Sequence, residues 1–226
     1  MKSKLIVMLT QNDQTTKYAN KIFHECRDLP IDYWGFKNIG ISESEMCELI
    51  CAMKEEGKRT FLEVVTYTKE SCLASAKFAC KHKLDFLLGT LFYPDVWNYL
   101  KSEDIQYYPF IGNVSDNPSI LSGSPEDMMH ESDRFLAESI PGIDLLAFRY
   151  MNGDPIHLAH KIVEHTRLNV ILAGSINSIE RIKTVNVINP WGFTIGSALF
   201  TQNFVKGGGF RENLEKVLEV MDTLNN

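Results

Sequence analysis

Short apolar runs alternate with helix-periodic segments along the whole of this 226-residue chain, and no shift in composition interrupts the rhythm. The runs are Leu5-Ile6-Val7-Met8-Leu9 and then residues 31–37, 60–66, 86–90, 107–111, 144–149, 170–173 and 193–195. Continuous apolar runs of this length read as buried strands, and the 3.6-residue periodicity between them reads as helices. Such alternation demands parallel strands joined by right-handed crossovers. Eight units suffice to close the sheet, so the chain is predicted to be an α/β protein of the (β/α)8 TIM-barrel class, one domain over residues 1–226. An open doubly wound sheet is the competing arrangement. Against it, the first strand runs into Thr10-Gln11-Asn12-Asp13, which has none of the glycines of a dinucleotide-binding turn.

Local signals set the element boundaries. The first helix is predicted from Thr15 to Arg27, with Tyr18, Ile22 and Cys26 on one face. Ser42 and Glu45 form a capping-box pattern for the second, which ends near Gly57, and the third carries the row Cys72, Ala76, Cys80. Pro94 opens a short fourth helix, and Gly112 to Gly123 reads as a loop. Ser124-Pro125-Glu126-Asp127 and Asp154-Pro155 start two more helices, Asn177 and Glu180 repeat the capping box, and the last helix runs from Phe210 to Leu224.

A hydrophobic share of 44% is enough for a large core, and no apolar stretch approaches a membrane span. A net charge of −6 argues against general nucleic-acid binding. The five cysteines form no CxxC pair and are expected to be reduced core residues on helices; Cys47 and Cys51 share a face but lack partners for a metal. With no signal-peptide pattern after Lys4, the expected compartment is the cytoplasm. A homo-oligomer stays open.

Two glycine-serine turns, Ala173-Gly174-Ser175-Ile176 and Ile195-Gly196-Ser197-Ala198, follow the seventh and eighth strands. Glycine lets backbone N–H groups approach an anion, and barrel enzymes often build a phosphate site from these two loops and a short extra helix. The segments Ile171–Ile176 and Phe193–Phe200 resemble those of the ribulose-phosphate-binding barrel superfamily, which includes phosphoribosyl isomerases, sugar-phosphate epimerases and keto-deoxy-phosphogluconate aldolase. The resemblance implies that Gly174, Ser175, Gly196 and Ser197 hold a phosphate through backbone N–H groups, with Ser197–Phe200 beginning the extra helix.

Reactive groups are expected at the C-terminal strand ends. Glu63, inside Phe61-Leu62-Glu63-Val64-Val65, is the leading general acid/base candidate, because an acid in an apolar strand must find a partner or hold its proton; a structural ion pair is the alternative. Its segment resembles the strand bearing the acid of the aldolase, although it is the third strand here and the second there. Lys37 closes the second strand in register with Tyr33 and Gly35, as an electrophile, a Schiff-base amine or a solvated lysine. Arg149 stands on the sixth strand, where the aldolase has its Schiff-base lysine, and its fork suits a carboxylate or phosphate. Asn113 and Thr10, or Gln11 beside it, are placed to read substrate hydroxyls. No metal and no cofactor is expected.

The functional expectation is an enzyme acting on a small phosphorylated carbonyl or sugar-phosphate metabolite, by proton transfer next to a carbonyl or a related carbon–carbon lyase step. The alternative is a non-catalytic, metabolite-sensing barrel that resembles the glycerol-uptake antiterminators. A further resemblance, to bacterial chains labelled 4-hydroxythreonine-4-phosphate dehydrogenase, implies a metal and a nicotinamide cofactor. The sequence offers neither the metal ligands nor a nucleotide fingerprint.

Overall fold

The computed structural model describes residues 3–224. Eight parallel strands make one sheet: β1 Lys4–Met8, β2 Tyr33–Lys37, β3 Arg59–Val64, β4 Phe86–Gly89, β5 Gln106–Tyr108, β6 Gly142–Leu145, β7 Asn169–Leu172 and β8 Gly192–Ile195. Neighbours in sequence are neighbours in space, and β1 lies between β8 and β2. The ends meet where Asp144 N–H donates to Pro109 O at 2.9 Å beside the Phe110–Asp144 bridge, closing the barrel as expected.

The connecting helices are α1 Ala19–Cys26, α2 Glu43–Glu55, α3 Lys69–Lys81, α4 Pro94–Leu100, α5 Pro125–Ala137, α6 Pro155–His165 and α7 Ile179–Ile188, followed after β8 by α8 Ser197–Phe200 and α9 Phe210–Leu224. Side chains alternate across the sheet, so the core has two shells. Val7, Trp34, Leu62, Leu87, Leu145 and Phe193 point outward to the helices. Ile6, Met8, Phe61, Phe86, Leu88, Tyr108 and Ile171 fill the barrel, with Phe61 and Phe86 stacked at 4.1 Å between ring centres. Toward the C-terminal strand ends this inner shell turns polar: Lys37, Glu63, Asp144 and Thr194 are all buried there. No helix among the described residues is long and apolar enough to cross a membrane.

The capping box at Ser42 is present, its hydroxyl accepting the Glu45 N–H at 3.3 Å while Glu45 accepts the Ser42 N–H at 2.8 Å. Ser124 and Asp154 cap α5 and α6 as predicted. Other boundaries differ. The first helix starts at Ala19, because Thr10–Gln11 and Gln14–Thr15 pair as a hairpin around Asn12 and Asp13. Both turn residues have positive φ, 51° and 61°, a conformation that short polar side chains tolerate and that matches the twist of a two-residue hairpin. Its buried face is Ala19, Phe23 and Cys26, leaving Tyr18 exposed.

The stretch Gly112 to Gly123 contains a second hairpin, Asn113–Ser115 with Ile120–Ser122, pinned by buried Val114 and Leu121. Strand β6 stops at Leu145, and Arg149 sits on the 3₁₀ turn Ala147–Arg149, which carries the chain across the barrel mouth. Ser178, one residue later than predicted, caps α7. Of the cysteines only Cys26 and Cys72 are buried; Cys51 is exposed on the outer face of α2, and all five are free thiols.

Gly142 tests the packing of the closure. A Cβ there would lie 2.1 Å from Tyr108 Cε1 and 2.6 Å from Asn169 O, so the strand can approach its neighbours only as glycine. Gly142→Ala is expected to cost about 1–3 kcal/mol through overpacking, read from urea unfolding midpoints. A variant as stable as the parent would contradict this account of the closure.

Candidate active site at the barrel mouth

Lys37 and Glu63 are register partners at the ends of β2 and β3, so alternation alone turns both inward. Their Nζ and Oε1 lie 3.3 Å apart. A second carboxylate arrives from outside the barrel: the hairpin after β1 folds Asp13 over the mouth, where Oδ1 accepts from Lys37 Nζ at 2.5 Å. Thr15 holds that hairpin to β2, its hydroxyl donating to Lys37 O at 2.8 Å and accepting the Lys37 N–H at 2.7 Å.

Arg149 reaches the same carboxylate from the other side. Its Nη2 donates to Asp13 Oδ1 at 3.1 Å and Nη1 to Oδ2 at 3.2 Å, and Nη1 also donates to Ser119 O at 3.0 Å. Oδ2 further accepts the Ser119 N–H at 2.9 Å and its hydroxyl at 3.0 Å. The two hairpins therefore meet over the barrel, with Asp13 as their junction. Tyr67 extends the network through its hydroxyl, 2.5 Å from Ser119 Oγ.

Burial alone would raise the Asp13 carboxyl, but the Lys37 ammonium and the Arg149 guanidinium outweigh it and hold that carboxyl well below the usual carboxylate range. Asp144 goes the other way. Fully buried on β6, it is pushed well above its ordinary value by desolvation and then by the Glu63 charge, with Lys37 and Arg149 opposing. Burial likewise pushes the Tyr67 phenol up to about 12, so it is a neutral hydrogen-bonding group at physiological pH.

The glycine-serine turns line the same cavity as this cluster. Gly174 has φ +114°, and a Cβ there would approach Arg149 Cγ to 3.3 Å, so glycine is what lets the turn pass the arginine. Gly196 caps α8, and a Cβ there would come within 2.5 Å of Thr10 Oγ1. Ser197 is the first residue of α8, which spans the Ser197–Phe200 segment predicted as the extra helix. Arg181 steadies the first turn by donating to Ser175 O.

These parts enclose a cavity of about 150 Å³. Lys37, Glu63, Arg149 and Thr10 line it together with Gly174, Ser175, Gly196 and Ser197. The volume lies below the roughly 300–1,000 Å³ typical of drug-sized sites and suits a small molecule. A wider hollow of about 440 Å³ opens at the opposite, N-terminal end of the barrel; its Arg59 is already paired with Asp85 at 3.1 Å.

Two expectations need correction. Asn113 does not line the cavity: it lies exposed on the second hairpin, whose turn instead delivers Ser119 to Asp13. The guanidinium fork of Arg149, expected to clamp a substrate carboxylate or phosphate, is spent on Asp13. The sequence reading also passed over Asp13, Ser119 and Asp144, and over Thr201 and Asn203 just beyond α8 at the cavity wall. Asn12-Asp13 between Thr-Gln and Gln-Thr carries a hairpin signal, and Asp144 inside Ile143–Leu146 could have been found by the logic that found Glu63. Among the described residues, no group of three or more His, Cys, Asp or Glu side chains is arranged to hold a metal ion.

No family model and no curated protein sequence matches the chain. Solved structures do. The tryptophan synthase alpha-subunit of Pyrococcus furiosus aligns with 99% of this chain and 100% of its own at 13% identity and a TM-score of 0.69. Phosphoribosylanthranilate isomerase of Thermotoga maritima aligns with 98% of this chain and 99% of its own at 12% identity and a TM-score of 0.63. The N-(5'-phosphoribosyl)anthranilate isomerase of Pyrococcus furiosus does so with the same two shares at 14% identity and a TM-score of 0.60. At such identities the likeness establishes the α/β-barrel fold over nearly the whole chain.

Asp13→Asn keeps the shape of the junction and removes its charge, leaving two cations with only Glu63. A loss of about 3–5 kcal/mol in unfolding free energy is expected at neutral pH, as for a broken buried ion pair. Because the native carboxyl is depressed, its contribution is full above the unfolded value of roughly 3.9 and shrinks as pH falls below it. Urea titrations of parent and variant should therefore converge in acid; a gap independent of pH would contradict the assignment.

Proposed function

We propose that the protein is an enzyme acting on a small phosphorylated carbonyl compound by moving a proton next to the carbonyl, as an isomerase or epimerase or in a related carbon–carbon lyase step. The observation that carries this reading is that both glycine-serine turns and the Lys37–Glu63 pair line one cavity of about 150 Å³. An anion bound at the turns would leave the far end of a short substrate beside the pair. The isomerases among the structural neighbours, named for a phosphoribosyl compound, are consistent with this class.

The roles follow from chemistry. The turns hold the phosphate, which supplies binding energy remote from the reacting carbon. Glu63 takes the proton from the carbon next to the carbonyl, the electron pair moves onto the carbonyl oxygen, and Lys37 stabilises that oxyanion by hydrogen bond and charge. Transfer of the neighbouring hydroxyl's proton to that oxyanion, with return of the Glu63 proton to the former carbonyl carbon, completes an isomerisation; return to the original carbon from the opposite face would complete an epimerisation. Lys37 acts as an ion-paired electrophile in this scheme rather than as a Schiff-base amine, since its Nζ is engaged by two carboxylates. Arg149 adds positive potential and fixes Asp13, and in this scheme Thr10, which lines the cavity beside Gly196, meets a substrate hydroxyl.

Calorimetric titration of glycerol 3-phosphate into parent and Gly196→Asp protein tests the phosphate half. The variant adds bulk against Thr10 and a negative charge at the cradle, so binding is expected to weaken at least about tenfold; equal affinities would remove the cradle. Glu63→Gln tests the chemistry: with binding retained, turnover of the phosphosugar converted by the parent should fall by about 10²–10⁴-fold. Binding with no turnover by the parent across a phosphosugar panel would instead favour a metabolite-sensing barrel.

A further inference from the structure

Among the described residues, the carboxyl oxygens of Asp144 are the only fully buried side-chain polar atoms without a hydrogen-bond partner. The position is not an accident of the surface. Asp144 is in register with Ile171, which faces the barrel interior, so alternation aims the carboxyl into the same inner shell that holds Lys37 and Glu63. A buried carboxylate without a partner is far costlier than a buried carboxylic acid.

The groups that act on it can be taken strand by strand. Glu63 on β3 is the negative one; Lys37 on β2 is positive and paired with both Asp13 and Glu63, and Arg149 on the turn after β6 is positive and paired with Asp13. Tyr108 on β5 is occupied lower in the barrel, where its hydroxyl accepts from Asn169 Nδ2 at 3.1 Å. The other strands offer Met8, Leu88, Ile171 and Thr194, which do not titrate. Asp144 thus has no cation of its own and one carboxylate neighbour, Glu63, whose cation Lys37 is shared with Asp13.

We propose that Asp144 and Glu63 form a carboxyl pair that holds one proton, resting on Asp144, so that Asp144 is a positioning residue that leaves Glu63 ionised against Lys37. Asp13 and Glu63 are each matched by a cation, whereas a third carboxylate beside them would have neither cation nor donor, so the partnerless site is the one that keeps the proton. Desolvation and the Glu63 charge both push the Asp144 carboxyl in this direction. During turnover the proton leaving substrate carbon goes to Glu63 and returns from it, while the Asp144 proton stays in place. The role of Glu63 as base rests on the proposed function; the proton pair does not.

The test therefore uses no substrate, so that failure of the phosphate reading and failure of the pair are separate results. Unfolding constants of the parent and Asp144→Asn are compared by urea titration from pH 4 to pH 9. A native acid that keeps its proton while the unfolded chain releases it destabilises the fold progressively, so the ratio of parent to variant constants should rise tenfold per pH unit above about pH 4 until Asp144 ionises. In a Glu63→Gln background the same rise should end at a lower pH. A flat ratio would overturn the proposal, and a rise ending at the same pH in both backgrounds would reduce Asp144 to a solitary buried acid. Should Asp144→Asn fail to fold, infrared spectra of the parent and Glu63→Gln decide. A protonated-carboxyl C=O stretch at pH 7 in the parent, titrating at lower pH in Glu63→Gln, is expected. Its absence from the parent would overturn the pair.

Discussion

Two cations, Lys37 and Arg149, are drawn into the barrel mouth, and one carboxylate, Asp13, joins them, with Glu63 as the second partner of Lys37. Taking charges out of water costs several kcal/mol per ion, which only close and well-directed partners can offset. Asp13 supplies such partners in one place: the ammonium at 2.5 Å, a forked guanidinium, and the N–H and hydroxyl of Ser119. The same carboxylate ties the hairpin after β1 to the hairpin after β5. The geometry of the cavity and the protonation of its groups thus share one origin.

Around that junction the barrel is graded. Aromatic rings pack the N-terminal end of the interior, where Phe61, Phe86, Tyr33 and Trp191 meet edge to face or stacked, and the buried Lys37, Glu63 and Asp144 lie toward the C-terminal end. Such grading divides labour: the stacked floor fixes the strands, and the strands fix Lys37, Glu63 and Asp144 in one shell. The glycine turns complete the enclosure because only they lack a Cβ that would strike Arg149 or Thr10.

Features written in a few consecutive residues were legible in the sequence. The strand and helix rhythm gave all eight barrel strands, and the capping box at Ser42 and the span of α9 came out as predicted. That Lys37, Glu63 and the two turns would come together was legible because strand-end position marks them locally, and they line one cavity. Asp13 escaped notice because its meaning lies in partners 106 and 136 residues away, Ser119 and Arg149, which no local pattern announces. Asn113 was misplaced for the converse reason: position after a strand was taken as position at the mouth, whereas cross-strand pairing with Ser122 turns it outward.

The function proposed above requires an anion between the two glycine-serine turns, with its attached carbon chain facing Lys37 and Glu63. A crystal structure of the protein soaked in glycerol 3-phosphate tests this most directly. Phosphate oxygens are expected within hydrogen-bonding reach of the backbone N–H groups of Gly174, Ser175, Gly196 and Ser197. A phosphate found away from both turns, at Arg59 at the opposite end of the barrel or on the outer surface, would contradict it.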